Sequence, residues 1–355
     1  MKIAVFVPSL IDLAPVQVAI AVAEQLATAG HTVTVYYFKA SSGIRQADSL
    51  KFEKINFFSR IPWYEYDITH SHGFLPDAFV SLRMSRRSRA KSVTTVHNYV
   101  FIELKMLYNR VVSFIIGWSW VFAWKRMDHI VVLTEDAMKY YQILLPNKHI
   151  SRIYNGKDIV HDPSAILLQH RHLAEEIRKK YTYCIGTISA LISRKRIDIL
   201  IRHLSRVETG GLLILGEGPE RIFLEDLVAK FAMQDRVKFL GYIPRAHAYN
   251  ELFDISAFPS MSEGFSLSLI EAAFYQKKIV CSDIPAFREA FTVDEATFFE
   301  SHDELTIDQA ILEAWQDNEK PKNAFNKAKD CYTEERMGKE YEALFLRLVA
   351  PVAKL

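Results

Sequence analysis

Strand-like and helix-like segments alternate through most of this 355-residue chain. The strand-like runs form two series, one at residues 2–7, 31–38, 67–72, 92–97, 129–133 and 151–154, the other at 181–185, 212–215, 237–240, 255–258 and 278–281. This alternation favours parallel sheets with helices on both faces. Because 355 residues exceed one typical hydrophobic core, the sequence predicts two doubly wound α/β domains with a cleft between them.

The two strand series are separated by a turn at residues 155–158 and a charged stretch from Val160 to Lys180, which looks like a linker followed by a short helix. We therefore predict an N-terminal domain over residues 1–163 and a C-terminal domain over residues 164–333. A closing segment, residues 334–355, contains a long amphipathic helix from Glu334 to Val349.

Two glutamates, Glu263 and Glu271, stand eight positions apart in the run SEGFSLSLIEA. A glycine-containing loop carries the first, and the second is predicted near the N-terminus of a buried helix over residues 267–274. A helix start offers backbone N–H groups and a positive dipole end, which suits a phosphate or sugar hydroxyls. Since carboxylates accept hydrogen bonds from hydroxyls, the pair suits a polyhydroxylated ligand.

Basic and glycine-rich turns follow two strands of the second series. Arg194, Lys195 and Arg196 stand between the strand ending near Ile188 and the next helix, where cations suit a diphosphate; a solvated basic turn is the alternative. The turn from Gly216 to Pro219 lacks the third glycine of a dinucleotide fingerprint. The pattern is typical of a tight strand-to-helix turn with proline in the first helical turn, and it argues against binding of NAD.

Two histidines of the first series follow or end strands, His72 before Gly73 and His97 before Asn98. Each is a candidate functional residue or a structural one. The sequence contains no HExxH or CxxC pattern, no GxSxG elbow and no phosphate-binding GxxxxGK[ST] loop, so we predict neither a metal site nor a cofactor. Three scattered cysteines and a strand-like N-terminus indicate a reducing compartment and a cytoplasmic protein.

Two segments raise the question of a membrane. Residues 83–91 hold five basic side chains, which suit anionic lipid headgroups or a solvated surface. Residues 104–124 are largely apolar, but Lys105, Asn109 and Arg110 interrupt them. The uninterrupted part, residues 111–124, is short for a membrane span, so we expect a core helix first and a peripheral membrane contact second.

The motifs taken together resemble the retaining glycosyltransferases of family 4, which have the two-domain GT-B fold. Glu263 and Glu271 match the E-x7-E signature of that family. The remaining matches follow in the family's order: AGHTVTV, YDITHSHG, TTVHN, DHIVVLT, IYNGKD, RKRIDIL, LLILGEGP, VKFLGYIP, DISAFPSMSEGF and YTEERMGKEYEALF. The chain departs from the family by the glycine-free loop at residues 8–15 and by Arg196, which stands where a glycine is usual.

The resemblance implies a sugar donor activated by a nucleoside diphosphate, with a UDP-sugar as the expected donor and no metal ion. It assigns the donor ribose to Glu271, the donor sugar and phosphate to Glu263 and the loop after it, and the departing diphosphate to Arg194 and Lys195. His97 is then near the reacting sugar, His72 lies on the acceptor side, and the last helix crosses back to the first domain. The expected donor-binding residues are Gly216, Tyr242, Gly264, Phe265, Ser266, Leu267 and Glu271.

The expected reaction is retaining transfer to a glycan or lipid-linked acceptor, in the synthesis of a surface polysaccharide or lipopolysaccharide. The acceptor is expected at the inner face of the cell membrane, reached through residues 83–91 and 111–124. The alternatives are a GT-B sugar-nucleotide epimerase, which needs no acceptor, and a non-catalytic binding protein with the same fold. No module for nucleic-acid binding is present in the sequence.

Overall fold

The computed structural model describes residues 1–11, 13–40, 47–85, 88–301, 303 and 305–350. The chain divides into two compact units. Unit 1 comprises Met1–Gly156 together with Tyr332–Leu355, and unit 2 comprises Lys157–Cys331.

Unit 1 is built on a parallel sheet in which the described residues form seven strands. Their order across the sheet is β3-β2-β1-β4-β5-β6-β7, and they are β1 Lys2–Ser9, β2 Thr32–Lys39, β3 Lys51–Lys54, β4 Ile68–His72, β5 Lys91–Val96, β6 His129–Val132 and β7 Ile150–Arg152. Neighbouring side chains along β1 are buried on opposite faces, with Ala4 and Phe6 in the cluster that includes Phe79. Burial on both faces is the pattern of a parallel sheet covered by helices on two sides.

Unit 2 contains a second parallel sheet, with six strands among its described residues. The order is β10-β9-β8-β11-β12-β13, and the strands are β8 Tyr183–Ile188, β9 Gly210–Leu215, β10 Val237–Gly241, β11 Ile255–Phe258, β12 Lys278–Ser282 and β13 Thr297–Phe299. Leu212 and Ile214 belong to the core on one face of this sheet, and Leu213 and Leu215 to the core on the other.

Helices connect the strands of both units. They are α1 Ala14–Thr28, α2 Phe74–Arg83, α3 Val100–Leu107, α4 Arg110–Arg126, α5 Glu135–Leu144, α6 Leu168–Lys180, α7 Ile197–Arg206, α8 Arg221–Lys230, α9 Leu267–Phe274, α10 Pro285–Ala290, α11 Thr306–Gln316, α12 Lys320–Cys331 and α13 Glu334–Val349. The last of these packs against α1 within unit 1, where a Cβ on Gly338 would lie 2.4 Å from the Cβ of Gln25. This close approach requires a residue without a side chain.

The predicted fold class, two Rossmann-like α/β domains with parallel sheets, is confirmed. Thr134 caps α5, because its hydroxyl accepts a hydrogen bond from the N–H of Ala137. The helix expected over the uninterrupted apolar part, residues 111–124, lies within α4. Residues 104–107 belong to α3, and the chain turns at Tyr108 and Asn109, where Asn109 caps α4.

Candidate active site

The strand order of unit 2 reverses direction beside β8, since β9 and β10 lie to one side of it and β11 to β13 to the other. In open parallel sheets, ligands bind at such a reversal, beyond the carboxyl ends of the two strands. The loop after β8, residues 189–196, and the loop after β11, residues 259–266, therefore define the expected place for a ligand. The first carries Arg194 and Lys195, and the second carries Glu263.

The structure brings these three side chains together. Arg194 Nη1 donates to Glu263 Oε2 at 3.0 Å, and Lys195 Nζ donates to Glu263 Oε1 at 2.5 Å. The hydroxyl of Ser260 donates to the same Oε1 at 2.7 Å, and Arg194 also donates to the carbonyl oxygen of Ser262. The cluster is nearly buried, with exposed side-chain fractions of 13% for Arg194, 17% for Lys195 and 7% for Glu263. It is not a solvated basic turn.

The charges of this cluster fix the protonation of its carboxyl group. Burial alone would raise the pKa of Glu263, but the ammonium of Lys195 and the guanidinium of Arg194, with the hydrogen bonds, lower it to about 2. Glu263 is therefore ionised at neutral pH and is unsuited to carry a proton in a reaction. The cluster holds two positive charges against one negative charge, so its net charge favours an anion.

The basic loop keeps a backbone shape that usually needs glycine. After a short 3-10 turn at Ser193–Lys195, Arg196 adopts left-handed angles, with φ 49° and ψ 41°, directly before α7. Its guanidinium bonds the carboxylate of Asp198 at 3.1 Å. Glycine adopts the left-handed conformation most easily, so the backbone of Arg196 is strained. The loop nevertheless has the backbone conformation that a glycine at this position would give it.

Helix α9 starts directly after the Glu263 loop. Ser266 caps it, because its hydroxyl accepts a hydrogen bond from the N–H of Leu269. Gly264, Phe265, Ser266 and Leu267 thus lead into the first turn, whose N–H groups have no partner within the helix. Helix α9 has the predicted bounds, and Glu271 is buried at the fifth of its eight residues, so it lies in the second turn of the helix.

Gly216 follows β9 and packs against the basic loop. Its φ is +133°, and a Cβ there would lie 1.9 Å from the carbonyl oxygen of Ser189. Its N–H donates to the carbonyl of Gly241 at 2.8 Å, one residue before the exposed Tyr242. The prediction that Pro219 lies in the first helical turn is wrong, because α8 begins at Arg221 and is preceded by its N-cap Glu220.

In unit 1, His72 and His97 lie at the carboxyl ends of neighbouring strands and are hydrogen-bonded to each other. His72 Nδ1 is 2.9 Å from His97 Nε2. Burial lowers the pKa of His97 to about 4 and that of His72 well below its ordinary value, so both imidazoles are neutral at pH 7. His70 was not among the predicted candidates, although it lies next to this pair. The centre of its ring is 4.3 Å from that of His72, and its Nε2 is 2.8 Å from the hydroxyl of Thr95. The alternate spacing of His70 and His72 along β4 is the signal that places them on one face.

Within the part of the chain that the structure describes, no group of three or more His, Cys, Asp or Glu side chains has the arrangement of a metal site. Likewise, none of the described helices is long and apolar enough to cross a membrane.

The structure describes only part of the basic run at residues 83–91. Arg86 and Arg87 lie outside the described residues. Arg83 and Arg89 are exposed, and Arg89 bonds Asp67 at 3.2 Å, while Lys91 lies 3.9 Å from Asp128. Two of the three visible cations are therefore close to carboxylates.

Helix α4 is apolar on two faces. One face packs in the core through Val121 and Trp124. The other exposes large apolar side chains together with those at the end of α3: Met106, Leu107, Tyr108, Val111, Phe114, Ile115, Trp118 and Phe122. The expectation of a core helix thus accounts for one face only. Between α2 and α4 runs an apolar groove of about 450 Å³ that is lined by Phe74, Leu82, Ile115, Trp118 and Phe122, among others.

Each of the two units matches a family of glycosyltransferases when it is compared with known proteins. Residues 16–161 match the family "Glycosyltransferase Family 4", and residues 171–330 match "Glycosyl transferases group 1". Two parallel-sheet Rossmann-like units that match these families define a glycosyltransferase of the GT-B class. The chain belongs to the family 4 glycosyltransferases, as the sequence motifs indicated.

Its relatives include the O-antigen biosynthesis glycosyltransferase WclY of Escherichia coli, which is 29% identical over 99% of this chain and 100% of the relative. A Campylobacter jejuni diphospho-undecaprenol N-acetylgalactosaminyltransferase is 31% identical over 55% of this chain and 52% of the relative.

Among solved structures, sucrose-phosphate synthase from Thermosynechococcus elongatus has a TM-score of 0.79 at 16% identity, covering 99% of both chains. Anabaena HepE, solved with UDP and glucose, has a TM-score of 0.78 at 16% identity, covering 98% of this chain and 100% of the other. At such identities, these similarities establish the fold alone.

Proposed function

We propose that this glycosyltransferase moves a sugar from a nucleoside-diphosphate donor to a glycan or lipid-linked acceptor, with retention of the anomeric configuration and without a metal ion. The observation that carries the proposal is the cluster of Arg194, Lys195 and Glu263 at the strand reversal of unit 2. Two nearly buried cations beside a helix start suit a diphosphate leaving group. The relation to an O-antigen glycosyltransferase supports a role in surface polysaccharide or lipopolysaccharide synthesis.

The roles of the residues follow from this proposal. Arg194 and Lys195 bind the departing diphosphate in place of a metal ion, and their charge stabilises the negative charge that develops on it. Positioned charge of this kind is a major catalytic contribution, and loss of one donor typically costs about 10²–10³ in rate. Glu263 contacts hydroxyls of the donor sugar and Glu271 contacts the ribose. Gly216, Tyr242 and the backbone from Gly264 to Leu267 complete the donor site.

For unit 1 we propose that His97 takes part in sugar transfer and that His72 belongs to the acceptor side. Both imidazoles are neutral, so each can donate one hydrogen bond and accept another. Because their pKa values are lowered by burial, neither is suited to act as a cation at neutral pH. The expected donor is a UDP-sugar, as the family resemblance implies, and the structural neighbour HepE was itself solved with UDP.

The test is turnover of a panel of nucleotide sugars, followed as release of the nucleoside diphosphate. We expect one donor to be consumed, and Glu271→Ala to abolish this because the ribose contact is lost. The control is Asp308→Asn, which alters an ion pair of unit 2 with Arg206, on α7. Unchanged turnover in Glu271→Ala, with the control equally active, would refute the assignment.

We further propose that the exposed apolar face of α4 rests on the membrane surface that carries the acceptor, as a peripheral contact at the inner face of the cell membrane. An apolar patch of this kind rarely faces water without a partner. Arg110 and Lys105, both exposed at the same end of this surface, suit anionic headgroups. Flotation with vesicles tests this contact. Phe114→Ser/Trp118→Ser should lose flotation, and absence of flotation with every lipid composition would remove the membrane proposal.

A further inference from the structure

The carboxylate of Glu263 contacts both cations that the proposed function assigns to the donor diphosphate. One oxygen accepts from Arg194 and the other from Lys195, at 3.0 and 2.5 Å. A diphosphate bound by these cations would share their two positive charges with the carboxylate. It would also lie beside a carboxylate that carries a like charge. The carboxylate and the diphosphate therefore compete for the same pair of cations.

Other groups hold Arg194 and the carboxylate of Glu263 where they are. The guanidinium of Arg194 also donates to the carbonyl of Ser262, and the backbone carbonyl of Arg194 accepts from the N–H of Met261 at 2.9 Å. These contacts keep Arg194 in place independently of the Glu263 carboxylate. Ser260 donates to Glu263 Oε1 at 2.7 Å, so the side chain of Glu263 is held toward Lys195.

Building on the proposed function, we propose that Glu263 is an internal competitor of the donor diphosphate and exchanges partners when the donor binds. It holds Lys195 and, together with the Ser262 carbonyl, Arg194 in the positions that the diphosphate requires, and it yields both cations to the phosphate oxygens. Its own oxygens are then available to accept hydrogen bonds from hydroxyls of the donor sugar.

This exchange distinguishes the donor from its product. A nucleoside diphosphate without a sugar displaces the carboxylate and offers it no new partner. The complete sugar nucleotide displaces the carboxylate and then satisfies it with hydroxyls. Because a buried charge without a partner is unfavourable, the product should bind more weakly than the donor, which favours product release.

Glu263→Gln tests the competition, because glutamine has nearly the same shape and lacks the charge. We expect the variant to bind inorganic pyrophosphate and UDP at least about tenfold more tightly than the wild type, since a like charge beside the bound anion is removed. We also expect slower transfer and a smaller difference in affinity between UDP and a UDP-sugar. Binding is measured by titration calorimetry.

Ser260→Ala is a second variant that keeps the carboxylate and both cations. It removes only the hydroxyl that holds Glu263 toward Lys195, so it should strengthen pyrophosphate binding by about three- to tenfold. Asp308→Asn is the matched control, because Asp308 also bonds two side chains, at 2.6 Å from His203 and 2.8 Å from Arg206. Its pyrophosphate affinity should equal that of the wild type.

The outcomes separate this inference from the proposed function. Tighter pyrophosphate binding by Glu263→Gln and by Ser260→Ala supports the exchange. Equal or weaker binding by Glu263→Gln overturns it, because the carboxylate would then only support the cations, while the donor site itself would stand. If the wild type binds neither pyrophosphate nor any nucleoside diphosphate, the proposed function fails.

Discussion

Asp77 ties helix α4 to the sheet of unit 1, and its replacement gives a quantitative prediction. Its carboxylate is fully buried and accepts four hydrogen bonds. Oδ1 accepts from the hydroxyls of Ser71 and Thr94 at 2.6 and 2.7 Å. Oδ2 accepts from the indole N–H groups of Trp120 and Trp124, on α4, at 2.7 and 2.8 Å. The apolar face that we assign to the membrane is thus positioned by one carboxylate.

The two replacements differ in what they leave unpaired. Asp77→Leu removes the acceptor of both indole N–H groups, and each orphaned donor costs about 1–3 kcal/mol. The hydroxyls can turn toward other acceptors, so we expect a loss of about 3–5 kcal/mol in the free energy of unfolding. In Asp77→Asn the amide oxygen can accept from both indoles while its NH₂ group donates to the hydroxyl oxygens. The free energy of unfolding of that variant should be only about 1–2 kcal/mol lower than that of the wild type, because its hydrogen bonds are no longer strengthened by a charge.

Urea unfolding followed by tryptophan fluorescence measures this loss. Three of the five tryptophans of the chain, Trp118, Trp120 and Trp124, lie on α4, so the signal reports on this helix. Asp48→Asn, at an exposed position of unit 1, is the control and should be within about 0.5 kcal/mol of the wild type. If Asp77→Leu lost less than about 1 kcal/mol, or if the Asn variant lost as much as the Leu variant, the reasoning would be wrong.

Three further predictions concern the donor site. The pKa of Glu263 is about 2 in the folded protein, against an ordinary value of 4.5 that applies to the unfolded chain. The contribution of this group to stability, on the order of 3 kcal/mol, is therefore present above pH 4.5 and is lost as the pH falls toward 2. Urea unfolding should therefore show the gap between wild type and Glu263→Gln closing from pH 5 to pH 2, and a constant gap would contradict this pKa shift. Arg196→Val should lower the free energy of unfolding by about 1–2 kcal/mol, because β-branched residues resist the left-handed conformation. Arg196→Gly should stay within about 1 kcal/mol of the wild type, since glycine adopts this conformation without strain. Equal losses for the two variants in thermal unfolding would argue against backbone strain at this position. Gly216→Ala should weaken UDP binding by at least about tenfold, since its Cβ would displace the basic loop at Ser189, and wild-type affinity in calorimetry would show that the loop can adjust.

The fold was predictable because its signals are local and repeated. Apolar runs such as Ile255–Phe258 are buried on both faces, so they stand out as parallel strands, and this strand has the predicted bounds. Two short strands, β3 and β13, lack such a run and were not predicted. Three of the four residues of Lys51–Lys54 are charged, and the strand lies at the edge of its sheet. The break between α3 and α4 falls where Asn109 and Arg110 interrupt the apolar run, and Asn109 caps α4 there.

The candidate site was less accessible from the sequence. The residue types and their order indicated donor-binding groups, and the family assignment that rested on them is confirmed. The sequence could not show that Glu263 bonds both Arg194 and Lys195, because these residues are separated by nearly 70 positions and meet only through the strand order. The roles of the site residues remain predictions.

The assignment of Arg194 and Lys195 to the donor diphosphate is tested by titrating nucleoside diphosphates, with UDP first, into the wild type and into Arg194→Ala/Lys195→Ala. We expect a nucleoside diphosphate to bind the wild type, and the double variant to bind it at least about 100-fold more weakly, because both diphosphate cations are gone. The corresponding nucleoside, which has no phosphate, should not distinguish the two proteins. Equal affinity of the two proteins for the nucleoside diphosphate would contradict the assignment of these cations to the donor.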